Sequence, residues 1–133
     1  MLAAIADTHA ALWYLFSDSR LGRAASDFIE ATIANGDHIG VSAISLAEMI
    51  YLIEKKRIPG RALEDVLAAI ADPMRVLQEV PLDAGIVVKM KEVPRDEIPD
   101  LPDRIISATA LFHGVPILSR DRRIHLSAIK TIW

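Results

Sequence analysis

Short apolar runs alternate with longer stretches whose apolar residues recur every three or four positions, and the alternation continues along the whole chain. LAAIA (2–6) reads as a buried strand, and Thr8 is placed to cap a helix reaching about Phe16. Helical spacing returns from Leu21 to Ile33 and stops at Asn35-Gly36. HIGVS (38–42) is a second strand, and a nearly all-apolar helix follows over about 43–55, with Pro59-Gly60 closing the region. Residues 61–71 carry another helical pattern that ends before Pro73. RVLQEV (75–80) reads as a strand, and 83–92 as a helix capped by Asp83. VPRDEIPDLP (93–102) is a proline- and acid-rich loop. A helix over 103–113 stops at Gly114, a strand occupies 115–119, and a last short strand lies near 130–132.

Strands alternating with helices predict βαβ units, hence an α/β fold with a mainly parallel central sheet covered on both faces. No repeat or linker divides residues 1–133, so one domain is expected. Ligands of such sheets bind outside the carboxyl ends of the strands, near the point where strand order reverses. The strand ends are therefore where the chemistry is expected.

Composition sharpens this picture. A chain of 133 residues is long enough to bury a real core. The apolar fraction of 52% is high, yet no apolar run is long enough to span a bilayer. The opening MLAAIADTHAALWYLF has no basic segment and is interrupted by Asp7 and His9, which argues against a signal peptide. A cytoplasmic address without membrane attachment is expected, and the apolar surplus predicts surface given to a partner or a second copy. The absence of cysteine removes disulfides, thiolate metal sites and cysteine nucleophiles. A net charge of −3 argues against a protein that coats nucleic acid, but not against a metal-dependent nuclease, whose clustered carboxylates lower the total.

Four acids stand out. Asp7 follows the first strand, Asp121 comes two residues after the strand at 115–119, and Asp103 opens the helix leading into that strand. Each has a plain reading as punctuation, because Asp is a favoured helix cap and turn residue. Glu48 lies in AISLAEMIYLI, on a stripe with Ile44 and Leu52. A carboxylate there needs a cation or strong donors, and a structural salt bridge to Arg104 or another basic residue is the bland alternative. Four carboxylates on one rim repel, each close pair by about 4 kcal/mol at an effective dielectric near 20. Such a cluster holds protons or a metal, and oxygen-only ligands favour Mg²⁺, with Mn²⁺ in its place. An acid-bound Mg²⁺ suits phosphodiester hydrolysis.

DTHAALWYL, then SAISLAEM, then DRIISATALFHGVPILSRD together resemble the PIN-domain ribonucleases, and more closely the VapC-type toxins of toxin–antitoxin pairs. The likeness covers about residues 3–124 and fills all four acidic positions of the family. It implies a three-layer α/β/α PIN-like fold and Mg²⁺-dependent cleavage of single-stranded RNA. It also implies a homodimer and a cognate antitoxin. Asp7 and Asp103 correspond to the usual metal ligands, while Glu48 and Asp121 complete the pocket. Asp100 matches a further acid of the DxxDR segment. Thr8 and Ser119 are expected to orient carboxylates.

Other residues rank lower. His9, His38, His113 and His125 lack metal-ligand spacing, and no nucleophile elbow supports a Ser–His–Asp triad. Arg104, Arg120, Arg122 and Arg123 flank the acids and are candidates for RNA phosphate contacts, with Arg20 or Arg23 contributing from the loop after the first helix. Trp13 and Tyr14 read as packing residues rather than base-stacking ones. Together with Tyr51 they are the expected anchors of an antitoxin segment lying along the first helix and helix 43–55. Rival functions fare worse. A haloacid dehalogenase-type phosphatase needs a second Asp where His9 stands. A phosphoryl-receiver domain needs a late strand-end Lys. P-loop and Rossmann glycine patterns are absent. The alternatives that survive are a PIN scaffold that only binds RNA or protein, and a housekeeping RNA-processing nuclease without an antitoxin.

Overall fold

The computed structural model describes all residues, 1–133. Five strands, β1 (Leu2–Ala6), β2 (His38–Ser42), β3 (Leu77–Val80), β4 (Ile117–Leu118) and β5 (Thr131–Ile132), form one parallel sheet in the order β3-β2-β1-β4-β5. The chain steps outward from β1 to β2 and β3, then returns to the other side of β1 for β4 and β5. Strand order thus reverses between β1 and β4, where Ile5 and Ala6 pair with Ile117 and Leu118. That junction opens a crevice at the carboxyl ends of the two strands.

The helices are α1 (Thr8–Leu15), α2 (Arg23–Ala34), α3 (Ala43–Glu54), α4 (Ala62–Ala71), α5 (Ala84–Lys89), α6 (Leu101–His113) and α7 (Arg122–Leu126), with a 3-10 turn over Met90–Glu92. They cover the sheet in two cores of unlike composition. One side packs small residues, Ala4, Ala6, Ala10, Ala11 and Ala69, around Ile39 and Leu118, which lets the chain approach the sheet closely. The other is filled by β-branched side chains, Ile5, Ile86, Ile98, Ile106, Ile117 and Ile124. Truncating one of these, such as Ile106 at 1% exposure, removes several methylenes from a site with no slack and costs about 2–5 kcal/mol. Gly40 belongs to this packing, since a Cβ there would stand 2.7 Å from Ile5 Cδ1 and 2.8 Å from Val80 Cγ2.

The expected elements are present, with boundaries that moved for physical reasons. Asp7, not Thr8, caps α1, its carboxylate accepting from Ala10 N at 2.8 Å. Helix α6 begins two residues before Asp103, because Asp100 is the cap and Pro102 sits in the first turn, where its missing N–H costs nothing. Gly114 ends α6 with φ of 66°, as the sequence suggests. Strands β3 and β4 are shorter than the apolar runs that announce them, and α7 was not anticipated. RRIHL is a single polar turn and a half, too short to show a period.

Candidate active site

Asp7, Glu48, Asp103 and Asp121 line one cleft of about 310 Å³ at the carboxyl ends of β1 and β4. They come from distant parts of the chain, and each is delivered by a junction. Asp7 directly follows β1, and its own N–H bonds Leu118 O at 3.0 Å, which ties it to the end of β4. Asp121 follows β4 and caps α7, accepting from Arg123 N at 2.8 Å and Ile124 N at 3.2 Å. Asp103 is the third residue of α6, with its N–H held by Asp100 at 3.1 Å. Three acids therefore sit at helix N-termini, where exposed backbone N–H groups and the helix dipole favour negative charge. Punctuation and chemistry coincide at Asp7 and Asp121, whose carboxylates cap their helices and also line the cleft.

Glu48 arrives differently, from the middle of α3. Thr8 Oγ1 lies 2.5 Å from Glu48 Oε1 and 2.9 Å from the buried Ser45 Oγ. Thr8 has a single hydroxyl proton, so it donates to the carboxylate and accepts from Ser45. Strong donors, and not a salt bridge, thus account for Glu48. Arg104 instead donates to Val93 O and Met90 O at 3.0–3.2 Å, fastening the loop before α6. This also removes Arg104 from the candidate phosphate-binding arginines. Arg122 and Arg123 are exposed on α7 and do not line the cleft, whereas Arg120 does.

None of the four acids is ion-paired. The ion pairs of the molecule use other acids: Met1 with Asp37, Arg20 with Asp18, Arg61 with Glu64 and Lys89 with Glu92. Burial, then the neighbouring charges of Asp100, Asp121, Glu48 and Asp7, push the Asp103 carboxyl up to about 7. Burial also raises Asp7, opposed by Ser119, the Ala10 N–H and His9. Ser119 is itself placed by two contacts. Its hydroxyl accepts from Asp121 N at 2.9 Å, and its carbonyl lies 2.7 Å from His125 Nε2. A carbonyl only accepts, so His125 Nε2 donates to it, while Nδ1 lies 2.8 Å from the Thr131 hydroxyl. His125 thus fixes the turn between Ser119 and Asp121, a role that its isolated place in the sequence does not announce.

The donor set suits a hard cation: all its acids are oxygen ligands, and none of the four is ion-paired. No group of three or more such side chains stands close enough to grip an ion alone. Asp100 is exposed and acts as helix cap and as a nearby charge.

His9, Trp13 and Arg20 also line the cleft. Trp13 is 7% exposed, so it is not available as an anchor for a docking partner, unlike Tyr51 at 66%. The i, i+4 spacing of His9 and Trp13 places them on one face of α1, which is the signal the sequence offered.

Comparison with known proteins agrees with the fold. The model of the PIN domain matches residues 4–130. Ribonuclease VapC22 of Mycobacterium tuberculosis is 33% identical over 125 residues, covering 93% of this chain and 91% of that protein. Among solved structures, VapBC2 from Rickettsia felis bound to a promoter DNA fragment superposes with a TM-score of 0.69 at 14% identity, over 98% of this chain and 97% of the other. A toxin–antitoxin complex from Klebsiella pneumoniae gives 0.65 at 21% identity, with 98% and 97% covered. FitAcB from Neisseria gonorrhoeae gives 0.61 at 16%, with 98% and 96% covered. A matching family model along nearly the whole length and a third of all positions shared with a VapC of similar size lead to one conclusion: the chain belongs to the PIN-domain family, and within it to the VapC type.

Proposed function

We propose that this protein is a Mg²⁺-dependent endoribonuclease that cuts single-stranded RNA and serves as the toxin of a toxin–antitoxin pair. The observation that carries this reading is the convergence of Asp7, Glu48, Asp103 and Asp121 on one cleft with no ion pair to any of them. Asp7 and Asp103 are the residues that would hold the ion, with Glu48 and Asp121 bounding the pocket and acting through water. When bound, Mg²⁺, or Mn²⁺ in its place, supplies a polarised phosphoryl oxygen and an acidified water. The chain's own residues prepare for this. Thr8 fixes Glu48, and Ser119 favours the ionised form of Asp7. Asp103 retains a proton near neutral pH and releases it on binding a cation.

The similar structure from Klebsiella pneumoniae is a toxin–antitoxin complex, which supports an antitoxin as partner. Exposed apolar residues on α3, Ile50 and Tyr51, and on α5 and α6, Val87, Val88 and Phe112, offer surface for it and for a homodimer. No helix is long and apolar enough to cross a membrane.

The test is cleavage of a labelled single-stranded RNA by the purified protein. Cutting with Mg²⁺ or Mn²⁺, little with Zn²⁺ and none in EDTA is expected, since zinc favours imidazole and thiolate ligands. Robust cutting in EDTA would overturn the metal mechanism. A small adjacent open reading frame encoding a DNA-binding inhibitor is expected, and its absence would favour a housekeeping nuclease.

A further inference from the structure

The cleft has a second side that the carboxylates do not explain. The guanidinium carbons of Arg20 and Arg120 lie 4.9 and 4.5 Å from the centroid of the Trp13 ring. Trp13 is wedged beneath them: Trp133 packs against it edge-on at 5.7 Å and 64°, and His9 stands at 5.4 Å. Gly22 makes room for this arrangement, since a Cβ there would come within 2.6 Å of Trp133. Both arginines are exposed and both line the cleft. Arg120 is adjacent to Asp121 in sequence, yet it forms no ion pair and rests on the indole. Arg20 gives Nε and Nη2 to Asp18 at 3.0 and 2.8 Å, and no bond uses its Nη1.

We propose that Arg120 and Arg20, seated on Trp13, form a binding site for a backbone phosphate of single-stranded RNA beside the one that is cut. The proposal rests on the ribonuclease reading above and names how that site holds its substrate. A polyanion approaching four carboxylates is repelled, so the cleft needs a cationic anchor kept apart from the acids. Stacking on Trp13 supplies that separation and holds the guanidinium planes in place, leaving edge N–H groups for bidentate contact with phosphate. Trp13 itself is not a base platform, because it is buried under the guanidinium groups. Asp18 neutralises much of Arg20, which makes Arg120 the principal contact and Arg20 the auxiliary one.

The experiment uses the full chain with Asp7→Asn to silence cleavage, and follows a fluorescent single-stranded RNA decamer by anisotropy across a KCl series with Mg²⁺ present. Adding Arg120→Ala is expected to weaken binding about 10-fold or more, the loss of a charged hydrogen-bonded contact. It should also flatten the slope of log K against log salt by about 0.7, one phosphate contact on a single strand. Arg20→Ala should do less. Arg120→Lys should retain the slope yet lose affinity, because charge remains while the planar stacked fork is gone. With Asp7 intact, Arg120→Ala should raise KM more than it lowers kcat. Thermal midpoints of the variants close to the parent's would exclude misfolding as the cause. If wild type cleaves RNA while Arg20→Ala/Arg120→Ala leaves Kd, slope and KM unchanged, the phosphate site is wrong and the nuclease stands. If wild type cleaves no RNA with Mg²⁺, the nuclease reading itself falls, and this proposal with it.

Discussion

The two ends of the sheet are hollowed by clefts of nearly equal size, about 310 Å³ at the carboxyl ends and about 300 Å³ at the amino ends. Their chemistry differs completely. The amino-end cleft is lined by Ile33, Met74, Val76 and a few polar groups, and its single acid, Asp37, is paired with the chain's own amino group at 3.3 Å. The carboxyl-end cleft gathers four acids, none of them paired. Cavity size therefore does not mark the site. What marks it is a set of acids that the fold gathers and leaves without ion pairs. In a parallel sheet every strand delivers its next residue to the same rim, where helix N-termini also collect, and this rim tolerates acids that the interior would reject.

The sharpest way to break this contrast is to neutralise one acid at each end. Asp7→Asn is expected to reduce RNA cleavage by about 10²-fold or more, comparable to removing one preorganised electrostatic group from an active site. Asn keeps the helix cap, and a repelling charge is gone, so the metal-free protein should be no less stable. Thermal midpoints in EDTA and single-turnover rates with Mg²⁺ check both parts, and a large loss of stability would make Asp7 a structural cap only. Asp37→Asn, at the other end, should leave the rate unchanged.

Thr8→Val comes next. It keeps shape but leaves Glu48 without its donor, and a 10- to 100-fold fall in rate or metal affinity is expected, as for residues that orient metal-site carboxylates. A rate within twofold of wild type would show that Glu48 is placed by packing alone.

A smaller, graded effect follows from pH. The folded Asp103 carboxyl titrates near 7, against 3.8 for an ordinary Asp, so the folded protein holds this proton more tightly than the unfolded chain. The stability it contributes is fully present below about pH 4 and is lost as pH rises through about 7. In EDTA, the thermal midpoint of wild type relative to Asp103→Asn should thus fall across that interval, and adding Mg²⁺ at pH 8 should raise it. The Mg²⁺ concentration needed for half-maximal cleavage should increase below pH 7, where proton and cation compete for Asp103. A wild-type-minus-variant difference that is flat with pH would refute the clustering of charge at this rim.

Last, Arg104→Ala should cost about 1.5–3 kcal/mol through the lost charged hydrogen bonds to Met90 and Val93, measured by urea unfolding. Weakened RNA binding at unchanged stability would instead return Arg104 to the substrate-binding set.

Much of this molecule is determined locally. The period of apolar residues gave the βα alternation, because burying one face of a helix or both faces of a parallel strand imposes different spacings. Asn35-Gly36, Pro73 and Gly114 bound their elements through backbone preferences that act wherever they occur. The four acids were legible too, Asp7 and Asp121 as residues beside strand ends, Asp103 as the residue opening a helix and Glu48 as a charge on an apolar stripe. What the sequence did not determine was pairing at a distance. Arg104 stands next to Asp103 in the chain but turns to the Met90 and Val93 carbonyls, while Arg20 and Arg120, a hundred positions apart, meet over Trp13. His125 looks isolated until β5 brings Thr131 to one ring nitrogen and β4 brings Ser119 to the other. Local patterns specify backbone conformation, which depends on neighbours in sequence. Partners for long polar side chains are decided only when the sheet order places distant segments side by side.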